Sequence, residues 1–240
     1  MINKMKYGVI GTGVMGQEHI QNINLIENAE VVAICDTNEN SRDQTKSLVK
    51  DSTKFYNDLN ELISNNIADA YIIATPNFTH INILERILKT NKHLLIEKPL
   101  CTTTEDCKKF ELLAKDYSKI IWTGMEYRYM PPVKQLIKEV HNKIIGKIKM
   151  LSIREHRFPF LHKVDDWNRF SVNTGGTLVE KCCHFFDLMR LVIQSEPAKV
   201  YASGNQDVNH LEEKYDGKTP DIIDNAFVIV DFKNGVRGML

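Results

Sequence analysis

One lysine of this 240-residue chain stands where a parallel sheet could present it to a ligand. Lys98 follows the short apolar run 94–96 and precedes Pro99, which cannot donate to a strand ladder. The run therefore predicts a strand that ends just before Lys98. Because ligands of open parallel sheets bind outside the carboxyl ends of the strands, we expect Glu97 and Lys98 to lie at a binding edge. An uncharged lysine at such an edge could accept a proton.

A second group of reactive side chains lies in the last third of the chain. Glu180 and His184 are four residues apart in a stretch that predicts one helix over 177–193, so both are expected on the same helical face. Histidine exchanges protons near neutral pH, and a carboxylate can orient it. Cys182 and Cys183 are adjacent and do not converge on one ion as C-x-x-C pairs do, so we expect no metal site.

A glycine-rich segment near the amino terminus has the spacing G-x-G-x-x-G. It follows a predicted strand, opens a predicted helix, and consists of Gly11, Thr12, Gly13, Val14, Met15 and Gly16. Missing side chains there permit a tight turn and a close approach of the backbone to a pyrophosphate, and the helix N-terminus offers amide donors. Asp36 lies 20 residues after Gly16, where an acidic residue accepts hydrogen bonds from an adenosine ribose. The set predicts a dinucleotide site.

Two further features refine this expected site. Asp36 would repel a ribose 2′-phosphate, which favours NAD, while Arg42 is near enough in sequence to keep NADP as an alternative. The tripeptide 75–77 ends a predicted strand, and the side chain of Asn77 could bond the cofactor there. A plain loop turn is the alternative interpretation of the same residues.

The elements that must position these residues alternate between strand-like and helix-like patterns up to residue 123. The expected strands are 7–10, 31–35, 70–74, 94–96 and 120–123. The expected helices are 16–26, 41–49, 79–89 and one capped by Thr102, with Glu105 three residues later. This alternation predicts an α/β fold whose residues 1–123 form a Rossmann domain with a doubly wound parallel sheet.

The pattern changes after residue 123. A proline-initiated helix, an alternating strand over 147–157, the long helix over 177–193 and strands over 200–201, 226–232 and 236–240 follow. We expect residues 124–240 to form an α+β domain with an open, mainly antiparallel sheet, and we leave open that this sheet is incomplete.

Composition excludes several classes of protein. The formal net charge is zero, so no basic stripe for nucleic acid is expected. No apolar run approaches the roughly 18 residues of a membrane helix. The five cysteines form no C-x-x-C pair, which indicates a reducing compartment and a cytoplasmic protein.

These motifs, in this order, resemble the glucose-fructose oxidoreductase/inositol dehydrogenase (Gfo/Idh/MocA) family over nearly the whole chain. The matching segments are the glycine motif with Asp36, Thr75-Pro76-Asn77-x-x-His80, Glu97-Lys98-Pro99, Tyr127-Arg128-Tyr129-Met130-Pro131, Gly175 to Glu180, and His184-x-x-Asp187. The resemblance implies NAD(P)-dependent oxidation or reduction at a carbinol carbon of a sugar, inositol or related polyhydroxy substrate. It implies catalytic roles for Lys98 and His184, with the residue at position 180 assisting.

The resemblance also implies which other residues serve the cofactor. Besides the glycine motif, Asp36 and Lys98, they are Thr75, Pro76, Asn77, His80, Glu97 and Arg128. The family pattern has Asp where this chain has Glu180, a longer arm with the same charge.

Members of the family are usually longer. The resemblance implies a homo-oligomer assembled through the second sheet, and the short second domain leaves that assembly open. The main alternative is a non-catalytic dinucleotide-binding protein with an incomplete substrate domain. A weaker alternative is an α/β protein that binds another adenosine ligand, such as a methyl donor.

Overall fold

The computed structural model describes residues 4–240, which form two compact units. The first unit extends to Gly124 and includes Lys163–Trp167, and the second comprises Met125–His162 and Asn168–Leu240. Residues 1–3 of the expected first domain lie outside the described residues, and the expected boundary after residue 123 stays a prediction. Among the described helices, none is long and apolar enough to cross a membrane.

The first unit is built on a six-stranded parallel sheet. Its strands are β1 (Met5–Ile10), β2 (Ala29–Cys35), β3 (Lys54–Tyr56), β4 (Ala70–Ile73), β5 (His93–Ile96) and β6 (Ile121–Thr123). Its helices are α1 (Val14–Asn24), α2 (Glu39–Thr45), α3 (Leu59–Asn65), α4 (His80–Ile87) and α5 (Thr104–Ala114). The strand order β3-β2-β1-β4-β5-β6 reverses between β1 and β4, and a ligand crevice forms at such a reversal. The expected doubly wound α/β fold is confirmed.

Two apolar clusters explain why this sheet carries helices on its two faces. All four residues of β4 are buried, as is usual for a strand covered on both sides. Ile20 and Ile23 of α1 pack with Val9 and Val31 in one cluster. The second cluster includes buried residues of α3, α4 and α5, among them Leu84. Helix α1 is thereby fixed against β1 and β2, which places its first turn at the carboxyl ends of these strands.

The second unit carries a four-stranded sheet. Its elements are α6 (Pro131–His141), β7 (Met150–Ser152), α7 (Ser171–Thr174), α8 (Thr177–Glu180), α9 (Cys183–Ile193), β8 (Pro197–Asn205), β9 (Asn225–Phe232) and β10 (Arg237–Met239). The order is β7-β10-β9-β8; only β7 and β10 pair in parallel, so the sheet is mainly antiparallel, as expected. Met189 and Ile193 of α9 pack on the face of β9 that carries Val228, Val230 and Phe232.

The expected helix over 177–193 is wrong, because the structure has two helices there. The N–H of Cys182 bonds the carbonyl of Thr177 at 3.3 Å, five residues back, which widens the turn after α8. A new helix then starts, with the N–H of Phe186 bonded to the carbonyl of Cys182. The regular spacing that would put Glu180 and His184 on one helical face is therefore interrupted between them.

The expected strand over 147–157 is too long, because only the three residues of β7 form a strand there. Period-two alternation marks a surface that can pair, but pairing also needs a partner strand. The partner is β10, which is itself three residues long. The last bond of the ladder joins the N–H of Ile153 to the carbonyl of Met239 at 2.8 Å.

Two smaller differences concern the first unit. The cap of α5 is Thr103 instead of the expected Thr102, since its hydroxyl accepts the N–H of Asp106 at 3.1 Å. Strand β3 and helix α3 were not predicted from the sequence. Strand β3 is short and lies at the edge of the sheet, while α3 depends on its cap, the side chain of Asp58.

A buried ion pair anchors the connection between β8 and β9. The Nε of Arg169, whose side chain is 1% exposed, donates to Glu213 Oε2 at 2.7 Å. His210 Nδ1 lies 2.7 Å from the other carboxylate oxygen, and the Tyr215 hydroxyl donates to Oε2 at 2.8 Å. Burial acts against ionisation, but these hydrogen bonds lower the pKa of Glu213 to about 2. The carboxylate therefore stabilises the fold in its charged form.

We expect Glu213→Gln to lower the free energy of unfolding by about 2 kcal/mol, since it weakens charged hydrogen bonds and leaves the Arg169 guanidinium without its counter-ion. For a chain of this size that is a fall in Tm of roughly 4–8 °C. Because the folded pKa lies below the ordinary value of 4.5, the contribution is present above about pH 4.5 and disappears as the pH falls towards 2. Thermal unfolding of the unsubstituted chain and of Glu213→Gln measures the difference in Tm, which should be smaller near pH 3 than at pH 6 to 7.

The exposed neighbour Glu212 supplies the matched control. Glu212→Gln removes the same charge one residue away and should leave Tm nearly unchanged. Equal effects of the two substitutions would contradict the proposed anchor.

Candidate functional site

The turn after β1 has no room for side chains at two of its glycines. Gly11 has a φ of +86°, and a Cβ there would lie 2.7 Å from the backbone of Ala74 and Thr75. A Cβ on Gly16 would lie 2.0 Å from the carbonyl oxygen of Gly11. Only glycine meets both conditions, so the turn after β1 comes into direct contact with the loop after β4.

The start of α1 leaves donors and space for an anion. Helix α1 begins at Val14, and the N–H groups of Val14, Met15 and Gly16 in its first turn have no acceptor within the helix. A Cβ added to Gly13 would meet no atom within 4 Å, so the space above this residue is open. Backbone amides that face open space at a helix N-terminus suit a pyrophosphate.

Asp36 lies directly after β2 with capacity left for a ribose. Its Oδ2 accepts the N–H of Thr12 at 2.6 Å and the Thr12 hydroxyl at 3.0 Å, and its Oδ1 accepts the N–H of Asn38 at 2.8 Å. A carboxylate has about four acceptor positions, so a further hydroxyl can still donate to it. Arg42 Nη1 donates to the backbone carbonyl of Asp36 at 2.5 Å, which puts a positive charge next to this position.

The loop after β4 presents a buried amide. Asn77 is 6% exposed, and among the described residues its Nδ2 has no hydrogen-bond partner. A buried donor without an acceptor is costly, and an oxygen atom of a bound ligand would satisfy it. With the open space at Gly13 and the acceptor on Asp36, this amide makes the residues of the first unit fit a dinucleotide such as NAD.

Lys98 follows β5 and is flanked by a buried carboxylate that the sequence analysis left without a partner. Glu97 is 8% exposed; its Oε1 lies 2.7 Å from His19 Nε2, and its Oε2 accepts the Lys98 N–H at 3.2 Å. Burial opposes ionisation, but these contacts hold the pKa of Glu97 below its usual value. His19 lies on α1, three residues after Gly16, and this position facing the sheet is the signal that could have revealed it.

His80, a predicted cofactor residue of the first unit, has a fully buried side chain. Its ring nitrogens contact backbone carbonyls: Nδ1 lies 3.0 Å from Pro99 O, and Nε2 lies 3.1 Å from Thr75 O. The ring therefore joins the loop after β4 to the loop after β5.

The second unit places His184 in a cluster of its own. His184 is 2% exposed, and its ring stacks on Tyr127 with centroids 4.2 Å apart and planes 7° apart. Its Nε2 lies 3.4 Å from a carboxylate oxygen of Glu126. Glu180, at the end of α8, is also buried at 8% exposure. Stacking fixes the plane of the imidazole, which is what a group that moves a proton requires.

Lys181 adds a cation to the same cluster. Its ammonium group donates to the Tyr127 hydroxyl, lies 4.7 Å from the centroid of that ring, and lies 3.7 Å from a Glu155 oxygen. The sequence analysis did not identify this contact. The signal was present in Tyr127, because an aromatic hydroxyl needs a hydrogen-bond partner when it is buried.

Arg128 is held by an acid of the same unit. Its guanidinium forms a bidentate pair with Asp187, including a bond from Nε to Oδ2 of 2.5 Å. This pairing raises the pKa of Arg128 further above its usual value. The pair joins the turn at Glu126–Tyr129 to α9, and the role of Arg128 towards the cofactor stays a prediction.

Within residues 4–240, no group of three or more His, Cys, Asp or Glu side chains is placed so that it could hold a metal ion. Burial raises the pKa of the Cys182 thiol to about 11, so this cysteine is a poor thiolate donor at neutral pH.

Comparison with known families defines the class of protein. Residues 5–125 match an oxidoreductase family described by its NAD-binding Rossmann fold, and residues 137–240 match the C-terminal alpha/beta domain of the same family. The fold and these two matches define the class of protein, an oxidoreductase with an NAD-binding Rossmann domain. The chain belongs to the Gfo/Idh/MocA family, as its motifs indicate, and NAD is confirmed as the expected cofactor.

Individual relatives extend beyond this chain. The chain is 32% identical over 238 residues to the myo-inositol 2-dehydrogenase of Thermotoga maritima, covering 98% of this chain and 67% of that protein. It is 30% identical over 220 residues to the glucose-6-phosphate 3-dehydrogenase of Bacillus subtilis, covering 87% of this chain and 60% of that protein. The chain therefore spans about two thirds of the length of these relatives.

Solved structures share the same architecture. A probable dehydrogenase from Thermotoga maritima has a TM-score of 0.81 at 30% identity, covering 98% of this chain and 67% of that one. The myo-inositol dehydrogenase of Lactobacillus casei, solved with NAD(H) and myo-inositol, has a TM-score of 0.80 at 22% identity, with coverage of 98% and 66%. The second likeness shows the fold alone.

We expect Asp36→Asn to weaken NADH binding about tenfold, since it removes the charge that strengthens a ribose hydrogen bond. NADPH binding should tighten at the same time, because repulsion of a 2′-phosphate is lost while Arg42 remains nearby. Titration with both nucleotides, followed by energy transfer from the tryptophans, measures the two constants. Asp43→Asn, on the exposed side of α2, is the control. A parallel change for both nucleotides would contradict a role in discrimination.

Proposed function

We propose that this protein is an NAD-dependent dehydrogenase that transfers hydride between nicotinamide and a carbinol or carbonyl carbon of an inositol, a sugar or a related polyhydroxy compound. The observation that carries the proposal is the position of Lys98, two residues after the end of β5, beside the loop after β4 that holds Asn77. Both positions lie at the carboxyl edge of a sheet whose order reverses one strand away, where ligands of this fold bind.

Lys98 is the proposed base. A carbinol can release hydride only if its hydroxyl proton also leaves, so a proton acceptor must lie within hydrogen-bond reach of that hydroxyl. When bound, NAD supplies the hydride acceptor. Lys98 takes the proton on Nζ in its uncharged form, and in the reverse direction it returns the proton to the carbonyl oxygen. Glu97, bonded to the Lys98 N–H, fixes the backbone from which the side chain extends.

His184 and Glu180 are the proposed assistants. His184 is suited to pass the proton onward, because its ring is held by stacking on Tyr127 and lies next to the carboxylate of Glu126. Buried Glu180 suits the orientation of a hydroxyl or of the imidazole. Glu180 lies on α8 and His184 lies on α9, so each side chain is positioned by its own helix.

The substrate class rests on family and relatives. The relatives named above act, by their names, on myo-inositol and on glucose 6-phosphate, both of which carry several secondary hydroxyl groups. A small polyhydroxy compound is therefore the substrate we propose for this chain. Nothing in the proposal requires a nucleic acid or a membrane as partner.

For assembly we propose a homo-oligomer formed through the exposed face of the second sheet. Phe227 and Ile229 of β9 alternate with the buried residues of that strand and are exposed, and Tyr201 of β8 pairs with Ile229 and is exposed as well. Neighbouring apolar side chains exposed on one sheet face favour burial against another protein surface.

We expect Lys98→Ala to lower kcat by about 10²–10⁴-fold, the usual contribution of a positioned base, with little change in NADH affinity. The measurement is NADH formation with myo-inositol or glucose as substrate, beside a direct NADH titration. The exposed Lys89→Ala is the matched control and should behave as the unsubstituted chain. Near-normal turnover in Lys98→Ala would show that the base is another residue. NADH binding without turnover in the unsubstituted chain would favour the non-catalytic alternative.

We expect Phe227→Asp to shift the chain to a smaller species in light scattering, because it places a charge on the proposed assembly face. Leu112→Asp, at an equally exposed apolar position on α5, should leave the mass unchanged. A monomeric mass for the unsubstituted chain would overturn the proposed assembly.

A further inference from the structure

A buried histidine connects the two loops that carry the proposed cofactor and proton-transfer groups. His80 begins α4 and has no exposed surface. Its Nδ1 lies 3.0 Å from Pro99 O and 3.3 Å from Leu100 O, while its Nε2 lies 3.1 Å from Thr75 O. One rigid ring therefore contacts the loop after β4 on one side and the loop after β5 on the other.

Each of these loops bears one group that the proposed function needs. Thr75 is two residues before Asn77, whose buried Nδ2 has no partner among the described residues. Pro99 is the residue directly after Lys98. A shift of either loop would move one of these groups, and the bonds to His80 help to hold the backbone of both loops in place.

Carbonyl oxygens only accept hydrogen bonds, so a neutral ring donates through one nitrogen and contacts the other loop through its second nitrogen, while a protonated ring donates to both. Burial lowers the pKa of His80, and the three carbonyls and the charge of Glu97 offset this only in part. The carboxylate of Glu97 is in turn held by His19. The Lys98 turn thus lies between a histidine–carboxylate pair on one side and the His80 ring on the other.

We propose that His80 is a positioning residue that holds the Asn77 loop through Nε2 and the Lys98 loop through Nδ1, so that cofactor binding and proton transfer depend on different nitrogens of one ring. The inference rests on the proposed function. It changes the expected part of His80 from direct cofactor contact to the placement of two neighbouring loops.

Two substitutions separate the nitrogens. His80→Asn places an amide near the position of Nδ1, and His80→Gln places one near the position of Nε2. We expect His80→Asn to keep the bond to the Lys98 loop and to lose the bond to the Asn77 loop. NADH binding should then weaken about tenfold at nearly constant kcat. We expect His80→Gln to do the reverse, lowering kcat about tenfold or more at nearly constant NADH affinity. Titration with NADH and turnover with myo-inositol measure the two effects.

Hydrogen exchange supplies a reading that needs no turnover. Peptides covering 74–79 should exchange faster in His80→Asn, and peptides covering 97–103 should exchange faster in His80→Gln. The control pair is His93→Asn and His93→Gln, because His93 lies at the opposite end of β5 and accepts the N–H of Ile120. Neither control should change NADH affinity, kcat or exchange in these two segments.

The same effect of both His80 variants on affinity, kcat and exchange would overturn the proposal, as would a loss of Tm alone. If the variants fold poorly, exchange in the unsubstituted chain decides: loops tied by one ring should share one opening free energy, and independent openings overturn the inference. A chain that binds NADH but oxidises no polyol contradicts the proposed function alone, while affinity and exchange still test the role of His80.

Discussion

The turn after β1 touches the loop after β4 so closely that Gly11 cannot bear a side chain, and it folds back on the first turn of α1 so closely that Gly16 cannot bear one either. A Cβ on Gly11 would lie 2.7 Å from backbone atoms of Ala74 and Thr75, and one on Gly16 would lie 2.0 Å from Gly11 O. This contact places the first turn of α1 and the loop of Asn77 side by side at the point where strand order reverses. Asp36 is positioned by its bonds to Thr12 in this turn, and Asn77 lies on the loop itself.

Charge burial is the second constraint on the first unit. A carboxylate at 8% exposure is stable only when it is hydrogen-bonded, and Glu97 meets that condition through His19 and the Lys98 N–H. The bond to His19 fastens the end of β5 to α1. A single ionised side chain therefore links α1, whose first turn is expected to bind the phosphates, to the turn that carries the proposed base, so the geometry of one depends on the other.

The sequence predicted best what depends on local pattern. Buried strands such as β4, the glycine turn and the order of motifs were all readable, because periodicity and missing side chains are properties of short segments. Contacts between distant segments were not: the pairing of Glu97 with His19 and of Lys181 with Tyr127 joins residues far apart in sequence. The widened turn at Cys182 was missed for a different reason: the residues on both sides of it continue a helical pattern, so the pattern does not show the break. Strand β7 was predicted too long because its partner is short.

The connection between β8 and β9 is divided by its own side chains. The Asp224 carboxylate accepts the N–H groups of residues 207–209 at one end, and Glu213 is tied to Arg169 near the middle. The Asp224 bonds thus join the two ends of the connection, and the bond of Glu213 to Arg169 holds its middle. Loop-closure entropy grows slowly with length, about 0.6 kcal/mol for each doubling, so extra residues between the anchors cost little. Over evolutionary time this segment can vary in length between its anchors while the two ends of the sheet keep their registration.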